Sequence, residues 1–191
     1  RILSDEQKQY WHTSTLAPEE VFERAVVLNR MQDQPFGGIP TIAYQKMIEL
    51  AKNAGITVLL EGQGVDELLA GYAYYQDAAS SLGLSQDASK LVHRDVLGGA
   101  FTDRHGARKE ISFPAPFASD LLNAQYRDLR HTKLPRVLRF NDHATMAYGR
   151  ELRLPFLDWR MVEFCLSLPD VYKIRGTNQK VLLRDVMEGT V

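Results

Sequence analysis

Glu61-Gly62-Gln63-Gly64-Val65-Asp66-Glu67 sets two glycines and two acids immediately after the apolar run Ile56-Thr57-Val58-Leu59-Leu60. In open α/β sheets ligands bind beyond the carboxyl ends of strands, and this segment occupies that place. Gly62 and Gly64 permit tight turning and close backbone approach, and the start of a following helix favours an anion such as phosphate. Asp66 and Glu67 would repel bare phosphate. A hard cation such as Mg²⁺, shared between carboxylate and phosphate oxygens, removes that conflict. The competing reading is structural: both acids cap the helix and complement its dipole. A lone Gly-x-Gly does not decide between the two.

Lys180, preceded by Asn178 and Gln179, falls in the first turn of a predicted terminal helix. A cation there opposes the macrodipole at a cost of roughly a few tenths of a kcal/mol, and a bound anion would reverse the sign. Arg184 lies one turn on along the same face, so both cations can address a polyphosphate or simply form a solvated basic face. Glu151 and Arg153 alternate with Leu152 and Leu154, making one face charged and the other apolar. A structural pair, Glu151–Arg153 or Arg153–Asp158, is one outcome. A cleft-facing carboxylate acting as general base or orienting group is the other. His12, His93, His105, His131 and His143 show no metal-ligand spacing, and none is assigned to catalysis. Cys165, on the apolar stripe of a short helix, reads as a small buried hydrophobe, with a nucleophile as the alternative. Tyr72, Tyr74 and Tyr75 read as core or rim packing, with a stacking surface as the alternative.

These residues need a frame. The chain has 191 residues, 45% hydrophobic and 25% charged, enough for one domain with a sizeable core. Lys plus Arg total 23 against 24 acids, a net charge of −1, which leaves no basic footprint for nucleic acid or an anionic membrane. No apolar stretch approaches the roughly 20 residues that span a bilayer. The single cysteine excludes an internal disulfide and a cysteine metal cluster. A soluble, cytoplasmic globular unit is expected. Arg1-Ile2-Leu3 has neither an initiator Met nor a signal-peptide layout, and the chain stops just past a helical pattern, so it reads as an excised segment.

Periodicity predicts helices over 18–31 and from Thr41 to Asn53, the latter with Ala43, Met47 and Ala51 on one stripe and Tyr44 and Ile48 beside it. Ile56 to Leu60 reads as a strand buried on both faces. A helix is expected through Leu68-Leu69-Ala70. Residues 77–135 look helical but weakly patterned. Asn141 or Asp142 is expected to cap a helix to about Arg150, Glu151–Pro155 to be extended, and Asp158 to cap a short helix closed by Pro169. A last helix should start near Thr177 or Asn178. Helix, buried strand, glycine turn and helix form part of an α/β parallel-sheet unit, predominantly helical here. No second buried strand of equal quality is visible, so its partners are expected outside the segment.

Four segments together resemble the C-terminal synthetase domain of glutamine-dependent asparagine synthetases. Glu61 to Tyr72 looks like that family's S-G-E-G-x-D-E-x-x-x-G-Y element, and Glu151 to Asp158 like its E-x-R-x-P-F-L-D element. Lys173 to Gly176 followed by Lys180 to Arg184 is similar to its K-x-x-x-x-x-x-K-x-x-L-R ending, and Asp33 to Gly37 to its D-E-P-F segment. The resemblance implies a partial adenine-nucleotide α-hydrolase-like (PP-loop ATPase) fold with few strands. It implies an ATP-dependent amide-forming ligase: a substrate carboxylate, aspartate in the family, is activated as an acyl-adenylate, and ammonia from a glutaminase domain attacks it. Carried over by position, Asp66 would bind Mg²⁺ on the pyrophosphate and Lys180 would hold the phosphates, with Arg184 beside it. Glu151 would sit at the amide-forming site, and Gly62 and Gly64 would shape the turn beside the adenylate.

Two departures qualify the match. Gln63 stands where the family has Glu; an amide cannot act as a base, so it can only orient a partner or bind substrate. The S-G-G-x-D-S pyrophosphate loop and the glutaminase domain are absent from residues 1–191, which are therefore expected to be a single synthetase-domain segment with little ATP-dependent activity alone. The alternatives are a ligase acting on another carboxylate, as in surface polysaccharide biosynthesis, and a catalytically inactive helical scaffold. A homo-oligomer is compatible with either; no nucleic acid or membrane partner is expected.

Overall fold

A computed structural model describes residues 12–77 and 112–190, together with residues 99, 100 and 104. Much of the weakly patterned stretch predicted helical over 77–135, including His93 and His105, lies outside the described residues.

Pro18 and Glu19 lead into α1, Glu20–Gln32, where the Glu20 carboxylate reaches back to accept the Ala17 N–H at 3.0 Å. The helix stops at Asp33, which is left-handed (φ 54°). Pro40 occupies the first turn of α2, Ile39–Asn53. Its buried stripe runs through Ile42, Gln45, Ile48 and Ala51: of the expected residues Ala51 and the neighbouring Ile48 are buried, whereas Ala43 and Met47 are exposed. The two isoleucines supply the larger branched surface, and Gln45 between them donates to Tyr148 Oη at 3.3 Å. After β1, Val58–Leu60, comes the short α3, Val65–Leu68. Then α4, Asp120–Arg130, is capped by Ser119 Oγ, which accepts the Leu122 N–H at 3.1 Å. α5 spans Lys133–Ala147 and packs against α1, α2 and α4. It starts well before the expected Asn141 or Asp142. Asn141 is interior because its side chain is used elsewhere, donating to Glu61 Oε2 at 3.0 Å.

The partner of β1 lies within the chain, contrary to expectation. It is β2, Glu151–Arg153, in parallel register: Val58 opposite Glu151, Leu59 opposite Leu152, Leu60 opposite Arg153. The ladder continues through the Glu61 N–H to the Arg153 carbonyl at 3.0 Å. The expectation of burial on both faces is also corrected. Leu59 and Leu152 point inward, while Val58 and Leu60 share the exposed face with Glu151 and Arg153. A two-stranded sheet has too few neighbours to cover both sides.

Asp158 caps α6, Trp159–Ser167, as expected, accepting the Arg160 N–H at 3.0 Å. Cys165 is buried with Leu68 and Leu69, and Phe156, Leu157, Met161 and Val162 pack around them. Beyond Pro169 the structure departs from a helix beginning at Thr177 or Asn178. Ile174–Arg175 (β3) and Asn178–Gln179 (β4) form an antiparallel hairpin around Gly176 (φ 60°), and α7 begins only at Val181, ending at Met187. No helix among the described residues is long and apolar enough to cross a membrane. The described chain is thus mostly helical, with two short two-stranded sheets.

Candidate functional site

The turn after β1 is built by exclusion. Gly64 is left-handed (φ 91°), and a Cβ there would also collide with the Leu157 side chain, so both backbone and space demand glycine. Gly62 is exposed and meets only Phe156 at the limit of contact. The chain then makes one helical turn, α3, and stops. Leu69 leaves the helix and Ala70 is left-handed (φ 55°), so the expected helix through Leu68-Leu69-Ala70 ends there. Leu68 and Leu69 go into the Cys165 cluster, anchoring the turn.

Asp66 stays half-buried on this anchored turn, and Lys180 Nζ lies 2.7 Å from its Oδ1. Lys180 precedes α7 rather than sitting in its first turn, and it is left-handed (φ 54°, ψ 38°). A non-glycine residue in that region costs about 1 kcal/mol or more. Its own N–H donates to the Leu69 carbonyl at 3.2 Å, so the conformation is held from the Asp66 turn itself. Gly71 packs against both members of the pair: a Cβ there would overlap Asp66 Oδ1 and Lys180 Cε.

The two adjacent acids part company. Glu67 is buried, accepts the Tyr72 hydroxyl at 2.9 Å, and burial pushes its carboxyl upward from the usual range. Lys133 Nζ sits 3.0 Å from the Tyr72 ring centroid, a close cation–π contact, and burial pushes its ammonium downward. Tyr72 and Tyr74 stack at 5.3 Å, and the hydroxyls of Tyr74 and Tyr75 both reach Asp128 Oδ2, at 2.7 and 2.9 Å. The tyrosine run is therefore packing with a satisfied polar edge. Asp66 alone of the pair of acids faces Lys180.

Gln63 lines a separate cavity of about 600 Å³, walled by Phe36, Phe140, Tyr44, Arg136 and Asn141 among others. Behind Asn141 stands Glu61. Its carboxylate also acts on the Tyr44 phenol, which burial above all pushes up, yet Tyr44 Oη and Glu61 Oε1 are both buried without a hydrogen-bond partner. Glu151 is not joined to Asp66, Lys180 or Gln63. It pairs with Arg153 at 2.8 Å on the exposed sheet face, while Asp158 pairs with Arg160 instead. Arg184 is exposed and donates through Nε to the Gln179 carbonyl at 2.9 Å. The structure thus joins Asp66 to Lys180, sets Gly62, Gly64 and Gln63 on the turn before them, and leaves Glu151 and Arg184 outside this contact. Among the described residues no group of three His, Cys, Asp or Glu side chains is placed to hold a metal. Reading the residues alone gave Gly71 no role; its signal was its place at the end of the glycine–acid element.

Fold and site define a mostly helical domain with an acid–lysine pair set beyond two parallel strands. The asparagine synthase family model matches residues 2–191, and the chain belongs to that family. It is 30% identical over 175 residues to a Methanocaldococcus jannaschii protein named “Putative asparagine synthetase (glutamine-hydrolyzing) 1”, covering 91% of this chain and 24% of that one. It is 30% identical over 140 residues to the glutamine-hydrolysing asparagine synthetase of Homo sapiens (73% and 18%) and 29% identical to that of Cricetulus griseus over the same length. The chain spans a quarter or less of the length of these relatives.

Proposed function

We propose that the chain is a single synthetase-domain segment, residues 1–191, of an ATP-dependent, glutamine-using ligase that converts aspartate to asparagine. The proposal includes the PP-loop ATPase-type α/β fold that the family resemblance implies, and a cytoplasmic location, where a lone thiol stays reduced. The observation that carries it is the Asp66–Lys180 contact on the turn beyond β1, in a chain of this family.

In the proposed reaction a carboxylate oxygen attacks the α-phosphorus of ATP and pyrophosphate leaves. Ammonia then attacks the acyl carbon, AMP leaves, and the nitrogen loses a proton. Adenylation needs charge neutralisation more than it needs a covalent nucleophile. Asp66 has one carboxylate oxygen outside the ion pair, and a single carboxylate suits Mg²⁺, which keeps phosphate and water oxygens as its other ligands. Mg²⁺ would supply positive charge to the triphosphate. Lys180 would exchange its hold on Asp66 for the phosphates and stabilise the leaving pyrophosphate. Gly62 and Gly64 let the backbone approach the adenylate. Gln63 would orient the acceptor at the cavity wall, and Glu151 and Arg184 would complete the site only after leaving their present partners.

A second acceptor is favoured by one observation. Gln63 and Glu61 stand where the family element has Glu and Ser, and both belong to the cavity wall or its backing. This supports a ligase acting on a carboxylate other than aspartate. ATP–pyrophosphate exchange by the full-length gene product, run with aspartate and a panel of carboxylates, tests both readings. Exchange that needs Mg²⁺ and one carboxylate is expected, and mass spectrometry of the amide names the acceptor. No exchange with any carboxylate would return the chain to the inactive-scaffold alternative.

A further inference from the structure

Lys173 is fully buried, yet its ammonium meets an uncharged partner: Nζ donates to Gln125 Oε1 at 3.0 Å. Gln125 is equally buried and passes the connection on, its Nε2 donating to the Glu67 carbonyl at 2.7 Å. Glu67 adjoins Asp66. A second route starts at the same residue: the Lys173 carbonyl accepts the Val181 N–H at 3.2 Å, and the neighbouring Lys180 N–H donates to the Leu69 carbonyl at 3.2 Å. The two routes close a ring, from the Lys173 side chain through Gln125 to α3, and from α3 through Lys180 and Val181 back to the Lys173 backbone. The Asp66–Lys180 contact joins two of the segments that these hydrogen bonds connect.

We propose that Lys173 is a positioning residue whose side chain, through Gln125, holds the turn bearing Lys180 in register with the turn bearing Asp66. A buried lysine is costly, and an apolar residue would fill the same space more cheaply. What an apolar residue cannot do is reach Gln125 with a donor while its backbone fixes Val181. Asp170 and Cys165 are the titratable groups that act on Lys173, and burial pushes its ammonium down to about 8. The left-handed Lys180 needs such a clamp, because free of it the backbone would relax to a commoner region. The catalytic meaning of this clamp rests on the proposed ligase function; the clamp itself does not.

The test measures Lys180 directly. Acetylation of Lys180 by a small acylating reagent, followed by mass spectrometry, is compared in wild type, Lys173→Met and Gln125→Glu of the full-length gene product. Gln125→Glu offers the buried ammonium a charged partner, which keeps the fold, but removes the donor to the Glu67 carbonyl. Cutting one buried hydrogen bond of the ring should speed Lys180 labelling by about fivefold or more in each variant. Labelling unchanged in Gln125→Glu overturns the proposal, whether or not Lys173→Met folds. In ATP–pyrophosphate exchange, both variants should lose about tenfold in kcat with KM for the carboxylate held within about twofold. Lys173→Arg should recover part of the loss; a purely structural role would lower kcat only in step with the folded fraction, with KM unchanged, and would leave Lys180 labelling of the folded protein at the wild-type rate. Absence of exchange in the wild type removes the ligase reading while leaving the labelling result to judge the clamp.

Discussion

Lys180 Nζ and Asp66 Oδ1 meet at 2.7 Å although one follows the last hairpin, just before α7, and the other lies on the turn after β1. Three features converge on this contact: a left-handed lysine, a main-chain bond from Lys180 to Leu69, and a glycine that leaves no room for a side chain. Both side chains are about 30% exposed, at 28% and 32%. As an ion pair it therefore contributes only about 0–1 kcal/mol. The strain at Lys180 is of comparable size. Stability alone does not account for a lysine at this position.

Replacing Lys180 separates strain from charge. Lys180→Gly should lower exchange activity by about a hundredfold while leaving the melting temperature unchanged or raised, because glycine accepts the left-handed backbone. Lys180→Ala should lose the same activity and some stability, since alanine keeps the strain and loses the pair. Equal destabilisation of both variants would show that the backbone strain is not what the φ angle implies.

Gly71→Ala tests the space beside the pair. The added methyl has to displace Asp66 or Lys180, so exchange activity should fall by about tenfold or more. Thermal melting should move by only a few degrees, the displaced groups being half-solvated. Wild-type turnover in Gly71→Ala would mean that the pair can shift without consequence.

The buried lysine sets a pH dependence opposite to that of an ordinary ion pair. Lys173 is lowered from 10.5 to about 8 in the folded chain. Between those values the unfolded chain binds the extra proton, so stability should rise with pH from about 8 towards 10. Above about 10 the buried tyrosines, whose folded pKa values are raised, reverse the trend, because only the unfolded chain then loses their protons. Urea midpoints at half-unit pH steps should show the alkaline rise in wild type and a smaller one in Lys173→Met. An identical rise in both would assign it to another group, Lys133 first, since burial lowers that ammonium as well.

Glu67 offers the acid-side counterpart. Its folded carboxyl is raised by burial, so its ionised form costs stability at neutral pH, and the cost is relieved as pH falls through the folded value. Glu67→Gln keeps an acceptor for Tyr72 without the charge and should stabilise the protein by about 1 kcal/mol at pH 7. A fall in melting temperature would instead make the electrostatic attraction between Glu67 and Lys133 the dominant effect.

α1, through its leading proline, first-turn acids and apolar periodicity, and α6, through its Asp158 cap, are legible from the residues alone, as is the burial of Cys165. The resemblance implies that Asp66 and Lys180 address the same phosphates, and the structure brings their side chains into contact. What stayed hidden was non-local. The extended character of Glu151–Arg153 is legible from its alternation, but its parallel pairing with Val58–Leu60 is not. Lysine carries no signal for a left-handed backbone, so Lys180 read as helical. The α2 stripe was misplaced because Gln45, polar by type, is buried through Tyr148. Asn141 looked like a cap and is instead spent on Glu61. The clamp through Lys173 and Gln125 joins three separate elements, and no spacing along the chain announces it.

The most direct test of the central claim, that Asp66 and Lys180 act on one Mg²⁺-bound triphosphate, is a Mg²⁺ titration of ATP–pyrophosphate exchange by the full-length gene product. With Asp66→Asn, half-saturation should move to about tenfold higher Mg²⁺, because one anionic ligand has become a neutral amide. Titration curves for wild type and Asp66→Asn that superimpose would contradict the claim.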